Sequence, residues 1–261
     1  MIKVLVTGAA GRMGRQVVAA VTAQPDMEVV AAVDPMCAGD TIEDGAGGTI
    51  ECVRELDLAI EQHVPDVMVD FTNRTAATHN IRDAISEGVH CVVGTTGMTD
   101  AELTALAAVA QRKTCLFYAP NFALGAVLMM RFAEQAARFM PHAEIIELHH
   151  DQKVDAPSGT AMRTASLIAI ARSEVPAAPG RETEVAEGAR GAVVDGVPVH
   201  SVRLPGLVAH QEVVFGGQGQ TLTIRHDSID RSSFMPGVVL AVRNVGRFEG
   251  LVVGLENILG V

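Results

Sequence analysis

The sequence predicts an α/β protein: a doubly wound parallel sheet, then a second α+β domain carrying a mainly antiparallel sheet. Three observations predict it. Five short β-rich runs alternate with helical patterns over the first half of the 261 residues. A glycine-rich turn follows the first of those runs. After Phe122 the texture changes to one long Ala/Met/Leu helix, then to strand-like runs separated by glycine turns.

Composition sets the outer limits. At 48% hydrophobic residues the chain can supply a real core, and with no tryptophan and 3% aromatics that core must come from Ala, Val, Leu, Ile and Met. A net charge of -11 argues against nucleic acid as a partner, because phosphate binding needs a basic footprint. Cys37, Cys52, Cys91 and Cys115 are scattered with no C-x-x-C, which predicts buried thiols of a reducing compartment rather than a disulfide frame. The opening Met-Ile-Lys-Val-Leu-Val is too short for a signal peptide, and no window approaches ~18 uninterrupted apolar residues. A cytoplasmic protein with no membrane association is the expectation.

Taken in order, Ile2 to Val6 reads as a strand, Gly8-Ala9-Ala10-Gly11-Arg12-Met13-Gly14 as a tight turn, and Arg15 to Ala23 as a helix closed by Pro25. Strand, glycine turn and helix are the context of a Rossmann-type dinucleotide site, where glycines let the backbone approach a pyrophosphate. The spacing is G-x-x-G-x-x-G rather than the commoner G-x-G-x-x-G. Asp34 closes the next strand, Glu28 to Val33, about 20 positions beyond the loop, where a carboxylate suits the ribose hydroxyls of the adenosine half. Pro35-Met36-Cys37 offers no cation for a 2′-phosphate and so favours NADH; Arg12 and Arg15 keep NADPH open.

Asp40 to Gly48 reads as a loop and Leu56 to His63 as a helix. Val67 to Phe71 is a third strand, and Thr75 to Glu87 a helix stopped by Gly88. His90 to Val93 is a fourth strand, ending in Gly94-Thr95-Thr96-Gly97. Thr99-Asp100-Ala101-Glu102 has the form of a capping box for a helix reaching Lys113. Cys115 to Tyr118 is a fifth strand, ending in Ala119-Pro120-Asn121-Phe122. Ligands of such sheets lie beyond the strands' carboxyl ends, and all five ends carry glycine, threonine or polar residues.

Ala123 to Met140 reads as a helix whose Leu128, Met129, Phe132 and Ala136 form a core stripe. Ala143 to Leu148 is a strand delivering His149, and Ser158 caps a helix to about Arg172. Arg172 to Gly191 is a Pro-, Gly- and Glu-rich surface excursion. Val199 to Arg203, Gln211 to Phe215 and Gln220 to His226 are strands, and Phe234 to Val245 is a helix returning to the first domain. Domains at 1–121 with 232–261, and at 122–231, follow.

The chemistry concentrates between Glu147 and Thr160. Adjacent strand histidines point to opposite faces, and no H-E-x-x-H or Cys/His spacing is present, so no metal is assigned. Two satisfied histidines near a domain junction are the bland alternative. Against it, Lys153 is a compact cation, and Gly159 and Thr160 at a helix start offer N–H groups and a hydroxyl to a carboxylate. A dicarboxylate substrate that gains a hydride and a proton would use all of these.

The motifs Gly8 to Gly14, Asp70-Phe71-Thr72, Gly94 to Gly97, Ala119 to Phe122 and Glu147 to Thr160 occur together and in order, with Arg203, Gly206 and His226 to Arg231 after them. On these residues the chain resembles the 4-hydroxy-tetrahydrodipicolinate reductase (dihydrodipicolinate reductase) family over nearly its whole length. Lys153-Val154-Asp155-Ala156-Pro157-Ser158-Gly159-Thr160 is the most specific of them. The resemblance implies His149 as acid/base, Lys153 as proton donor, and His150, Gly159 and Thr160 as substrate contacts. It implies a cofactor site of Gly8, Ala9, Ala10, Gly11, Arg12, Met13, Asp34, Gly94, Thr95, Thr96, Ala119, Pro120, Asn121 and Phe122. It also implies a homotetramer joined through second-domain sheets and a step of diaminopimelate and lysine biosynthesis. Arg74 stands where the family often has proline. Leu207 to Gln211 replaces the family's usual glycine–glutamate–histidine run, so His210 receives no role.

The expected reaction is hydride transfer from NADH or NADPH to a ring carbon conjugated with an imine, protonation from the His149/Lys153 side, and loss of water overall. An amino-acid dehydrogenase would share the glycine loop without needing Lys153 to Thr160. A non-catalytic NADH-binding regulator would share the first half alone.

Overall fold

In the computed structural model, which describes residues 1–110, 113–174, 176 and 183–260, the chain divides into two units. One comprises Met1–Phe122 with Arg231–Gly260, the other Ala123–Asp230.

The first unit is built on β1 (Ile2–Thr7), α1 (Arg12–Thr22), β2 (Met27–Val33), β3 (Thr41–Glu43), β4 (Thr49–Val53) and α2 (Leu56–His63). It continues with β5 (Val67–Asp70), α3 (Arg74–Ser86), β6 (His90–Val93), α4 (Asp100–Ala107) and β7 (Cys115–Tyr118). The central strands are buried on both faces: Val4, Leu5, Val6, Met68, Val69, Cys91, Val92, Leu116 and Phe117 have no accessible surface. Parallel strands covered by helices on both sides read as continuous apolar runs, which is why they are visible in the sequence. Thr99 caps α4 with the reciprocal Glu102 bonds of a capping box. That helix ends at Ala107 rather than Lys113, and residues 111 and 112 of the expected span lie outside the described residues.

Three strands of this sheet depart from expectation. Asp40 to Gly48 is not wholly loop, because β3 pairs antiparallel with β4, opposing Ile42 to Ile50 and burying Ile42. Downstream of α7 (Met235–Asn244), β13 (Gly250–Val253) adds a parallel edge beside β7, before the short α8 (Glu256–Leu259). The strand order is β13-β7-β6-β5-β1-β2-β4-β3. Short strands of this kind are made by the partner they pair with, so their own residues carry little signal.

The cysteine expectation also needs correction. Cys37 and Cys52 form a disulfide, with Cα atoms 5.7 Å apart, while Cys91 and Cys115 are free and buried. Pairing of β4 beside β2 sets Cys52 against Ala32 and returns it to the loop that follows Asp34. There Gly39 donates to the Cys52 carbonyl and the Cys52 N–H to Asp40, both at 2.9 Å. A spacing of 15 residues gave no hint of that approach.

The second unit holds α5 (Leu124–Ala137), β8 (His142–His149), α6 (Gly159–Ala171), β9 (Ala192–Val194), β10 (Val197–Arg203), β11 (Ala209–Gly217) and β12 (Gln220–Ser228). The order is β12-β11-β8-β10-β9, antiparallel except for the β8–β10 pair. Ala143, Ile145, Val199, Val213 and Phe215 fill the face beneath α5 and α6. β9 was not expected. It forms a hairpin with β10 through Asp195 and Gly196, both at positive φ, and an Asp-Gly pair is the local signal for such a turn. Of the stretch read as a surface excursion, residues 175 and 177–182 lie outside the described residues.

Candidate active site

The first unit reverses its strand order beside β1, whose neighbours are β2 and β5, so the loops after β1 and β5 flank the switch point of the sheet. A dinucleotide cradle belongs at that position. Gly8 has φ +71°, and a Cβ there would lie 2.7 Å from the Phe71 carbonyl oxygen. At Gly14 a Cβ would overlap the Gly8 carbonyl and sit 2.7 Å from Ala9 Cα, so α1 approaches the loop more closely than any side chain allows. Alanine at Gly14 is expected to push helix and loop apart and weaken NADH binding at least ~10-fold, at a cost of ~1–3 kcal/mol in stability. Calorimetric titration checks this, and an unchanged Kd would remove the close approach from the cofactor's requirements.

Asp34 lies just past β2 and is nearly buried. Its Oδ2 accepts the Ala10 N–H at 3.1 Å and its Oδ1 the Met36 N–H at 2.9 Å, tying the glycine loop to the end of β2. A cavity of about 750 Å³ is lined here by Gly8, Gly11, Asp34, Arg54, Phe71 and Thr72 among others. Its size, the glycine approach and the carboxylate fit the adenosine half of a dinucleotide. Arg54 is an addition. It follows β4, donates to the Pro35 carbonyl at 3.5 Å, and brings a guanidinium to the lining of this cavity. A larger cavity of about 970 Å³ opens at the amino ends of β1, β5 and β6, beside Ile2, Val67 and His90. That is the edge of a parallel sheet opposite the one where ligands bind.

Asp70 holds several of the expected cofactor segments together. The carboxylate is fully buried. It accepts hydrogen bonds from Thr7 Oγ1 (2.7 Å), Thr95 Oγ1 (2.6 Å), Thr72 Oγ1 (2.9 Å) and Asn80 Nδ2 (2.8 Å). Thr95 Oγ1 in turn accepts the Thr72 N–H at 2.8 Å, so the ends of β1, β5 and β6 share one network. Gly94 follows β6, where a Cβ would overlap the Phe71 ring, and Phe122 packs its ring 5.8 Å from that of Phe71. Ala119 continues from β7 by donating to the Val93 carbonyl. Thus Gly8, Gly11 and Asp34 line the cavity, and Gly94, Thr95 and the Ala119-to-Phe122 segment stand at the neighbouring strand ends. The sequence marks Asp70-Phe71-Thr72 as a motif at a strand's carboxyl end, but the bonds that join Asp70 to Thr7, Asn80 and Thr95 have no signal in it.

In the second unit β8 ends at His149, and a turn in which the Lys153 N–H donates to the His150 carbonyl leads to α6. Ser158 is the N-cap, its Oγ accepting the Ala161 N–H at 3.2 Å, so Gly159 and Thr160 are the first residues of the helix. Gly159 has open space where a Cβ would be, and the first turn holds no acidic residue. Positive helix-end potential therefore meets no carboxylate of its own turn, which suits an anionic ligand. Lys153 Nζ lies 2.7 Å from Asp155 Oδ1, and that bond holds the Asp155 carboxyl below its ordinary range.

His149 Nδ1 is 2.5 Å from Glu147 Oε2. Glu147 is fully buried, accepts the Ser158 N–H at 3.1 Å, and meets both terminal nitrogens of Arg203 at 2.8 and 2.7 Å. Burial pushes the Glu147 carboxyl up, but hydrogen bonds from His149, Arg203 and Ser201 outweigh it and bring it down to about 2. His210 is engaged at both ring nitrogens: Nδ1 with Asp227 at 2.7 Å, Nε2 accepting the Val208 N–H at 3.2 Å. The sequence thus named His149, His150, Lys153, Gly159 and Thr160, which the fold places on one loop and its flanks, and missed Glu147 and Arg203 as their support.

Comparison with known proteins covers nearly the whole chain. A family model described as dihydrodipicolinate reductase, N-terminus, matches residues 2–122, and its C-terminus counterpart matches residues 125–259. The 4-hydroxy-tetrahydrodipicolinate reductase of Moorella thermoacetica is 52% identical, over 99% of this chain and 98% of its own. That of Syntrophomonas wolfei is 48% identical, over 98% of both. Among solved structures, dipicolinate-bound dihydrodipicolinate reductase from Paenisporosarcina sp. TG-14 superposes with a TM-score of 0.85 at 46% identity, covering 98% of this chain and 99% of the other. An amine dehydrogenase from Mycobacterium smegmatis, TM-score 0.66 at 17% identity, shares the fold alone.

Proposed function

The chain belongs to the dihydrodipicolinate reductase family, and from that premise we propose how its residues divide the work of the reaction. The protein is an NAD(P)H-dependent oxidoreductase that reduces 4-hydroxy-tetrahydrodipicolinate to tetrahydrodipicolinate in diaminopimelate and lysine biosynthesis. Its relatives match it over 98–99% of its length, so the amino-acid-dehydrogenase and regulator alternatives give way.

Bound cofactor supplies the hydride. The proton comes from the His149/Lys153 side of the second unit: His149 acts as acid/base, and Lys153 acts as proton donor while its cation binds a carboxylate. His150, Gly159 and Thr160 hold the dicarboxylate against the start of α6. The observation that carries this assignment is that the end of β8, the turn holding Lys153 and the open start of α6 follow one another, so His149, a cation and a helix N-terminus without acidic residues in its first turn stand on one strand end, one turn and one helix start. The dipicolinate bound by the Paenisporosarcina reductase supports a small dicarboxylate as the ligand class. Mixing the protein with NADH and freshly made substrate, then following the nicotinamide absorbance band, tests the activity; no oxidation of NADH would sink it.

For the cofactor, Gly8 to Met13 receive the pyrophosphate, Asp34 the adenosine ribose, and the Gly94-to-Thr96 and Ala119-to-Phe122 segments the nicotinamide half. Asp34 favours NADH, because its carboxylate accepts from two ribose hydroxyls and repels a 2′-phosphate. Arg54 favours a second reading, use of NADPH as well, because its guanidinium lines the same cavity as Asp34. Arg54→Ala is then expected to raise the KM for NADPH about 10-fold while moving that for NADH less than about twofold, the worth of one charge-assisted phosphate contact. Parallel titrations with both cofactors check this, and equal effects on the two would deny Arg54 a phosphate role.

The second-unit sheet supports assembly as a homotetramer. Ile146, Leu148, Val202 and Val214 stand half-buried on the face away from α5 and α6, in register across β8, β10 and β11. Light scattering in solution tests this. No helix among the described residues is long and apolar enough to cross a membrane, and a biosynthetic role supports a cytoplasmic location.

A further inference from the structure

The assignments above leave Glu147 and Arg203 without a part in the reaction. Glu147 precedes His149 by two residues on β8, so both side chains lie on the same face of the strand. That face lies beneath the start of α6, where Glu147 has no accessible surface. A carboxylate so placed is costly unless every lone pair is met. Oε1 meets Arg203 Nη2 at 2.7 Å and the Ser158 N–H at 3.1 Å; Oε2 meets Arg203 Nη1 at 2.8 Å and His149 Nδ1 at 2.5 Å.

The chemistry of this cluster is directional. Beside a guanidinium fork the carboxylate is ionised, and an ionised carboxylate only accepts. His149 Nδ1 must therefore carry the hydrogen. In the neutral ring the lone pair then sits on Nε2; in the cationic ring the transferable proton sits there. The Arg203 fork supplies the countercharge, and the contact with His149 meets what remains of Oε2 with an imidazole rather than a backbone N–H. It thereby joins the ring to the same carboxylate that accepts the Ser158 N–H at the start of α6.

We propose that Glu147 is the positioning residue of the reduction, holding His149 in the tautomer that turns Nε2 to the substrate and fixing that ring to the carboxylate-binding start of α6, with Arg203 as the countercharge that keeps Glu147 ionised. The role rests on His149 as proton donor, and it is one step removed from the reacting atoms. It resembles the general pattern in which a buried carboxylate orients a catalytic imidazole and stabilises its cationic form.

Two measurements test it. The first is the nitrogen-15 spectrum of the His149 ring in the intact wild-type protein, which distinguishes the tautomers directly. Recorded at a pH where the ring is neutral, hydrogen on Nδ1 supports the proposal, and a neutral ring with its hydrogen on Nε2 overturns it. The second is a cycle of Glu147→Gln, His149→Ala and the double variant, assayed with NADH and fresh substrate. Glu147→Gln is expected to lower kcat ~10²-fold or more, with the substrate KM changing less than about threefold. In the His149→Ala background it should cost less than about threefold further, because its effect passes through the missing ring. A full, multiplicative loss in that background overturns the positioning role while leaving His149 in place. Near-wild-type turnover of His149→Ala is a different failure, that of the histidine as donor. Should Glu147→Gln not fold, the wild-type tautomer decides the matter.

Discussion

Alanine at His149, or at Lys153, is expected to lower turnover by roughly 10²–10⁴-fold while leaving the fold and NADH binding intact. Both side chains are only partly exposed, yet neither belongs to the packed core of the second unit. The proposed cofactor residues, Gly8 to Met13, Asp34, Gly94 to Thr96 and Ala119 to Phe122, belong to the first unit, so titration of either variant with NADH should give a near-normal Kd. The two variants should differ in one respect. Lys153→Ala also removes a cation from the substrate, so its KM should rise along with the fall in kcat. His149→Ala should act on kcat far more than on KM. Steady-state assays with fresh substrate read both, and near-wild-type turnover in either variant excludes that residue from proton transfer.

Arg203→Ala carries the largest expected loss of stability, about 3–5 kcal/mol, because it leaves a buried carboxylate without its countercharge. Arg203 makes both arms of the fork to Glu147 and also donates to the Asp155 carbonyl at 2.7 Å, so it secures β8, β10 and the Lys153 turn together. The pH dependence has a definite sign. Glu147 titrates at about 2 in the folded protein against 4.5 ordinarily, so its contribution is fully present above pH 4.5 and lost as pH falls towards 2. Without Arg203 the folded-state value rises, and the loss begins at higher pH. Thermal melts of the two proteins across that window show the shift. Arg203→Lys restores charge without the planar fork and should recover part of the Tm. An unchanged Tm in Arg203→Ala shows that the fork contributes little.

The elements best seen in the sequence were those with strong local causes. Leu56–His63, His90–Val93 and Cys115–Tyr118 occur at the residues expected, because a fully buried strand or a short amphipathic helix writes its environment into consecutive residues. Thr99 and Glu102 announced their capping box in the same way. Elements that depend on a partner were missed: β3 needs β4, β13 needs β7, and β9 needs the Asp195-Gly196 hairpin.

The same division runs through the candidate site. Residue order was enough to bring His149, His150, Lys153, Gly159 and Thr160 to notice, since they lie on one strand end, one turn and one helix start, and enough to mark the glycine loop and Asp34. Chain packing alone could supply the rest. Arg203 meets Glu147 across 56 positions because β10 runs parallel to β8 in a register that sets Arg203 beside His149. Asp70 draws in Thr7 and Thr95 from 63 and 25 positions away because β1, β5 and β6 are adjacent in the sheet. Cys37 reaches Cys52, and Arg54 the Asp34 cavity, because β4 lies beside β2. Chemistry that rests on local spacing can be read along the chain; the countercharges and clamps that support it are set by strand register, which exists only once the sheet has formed.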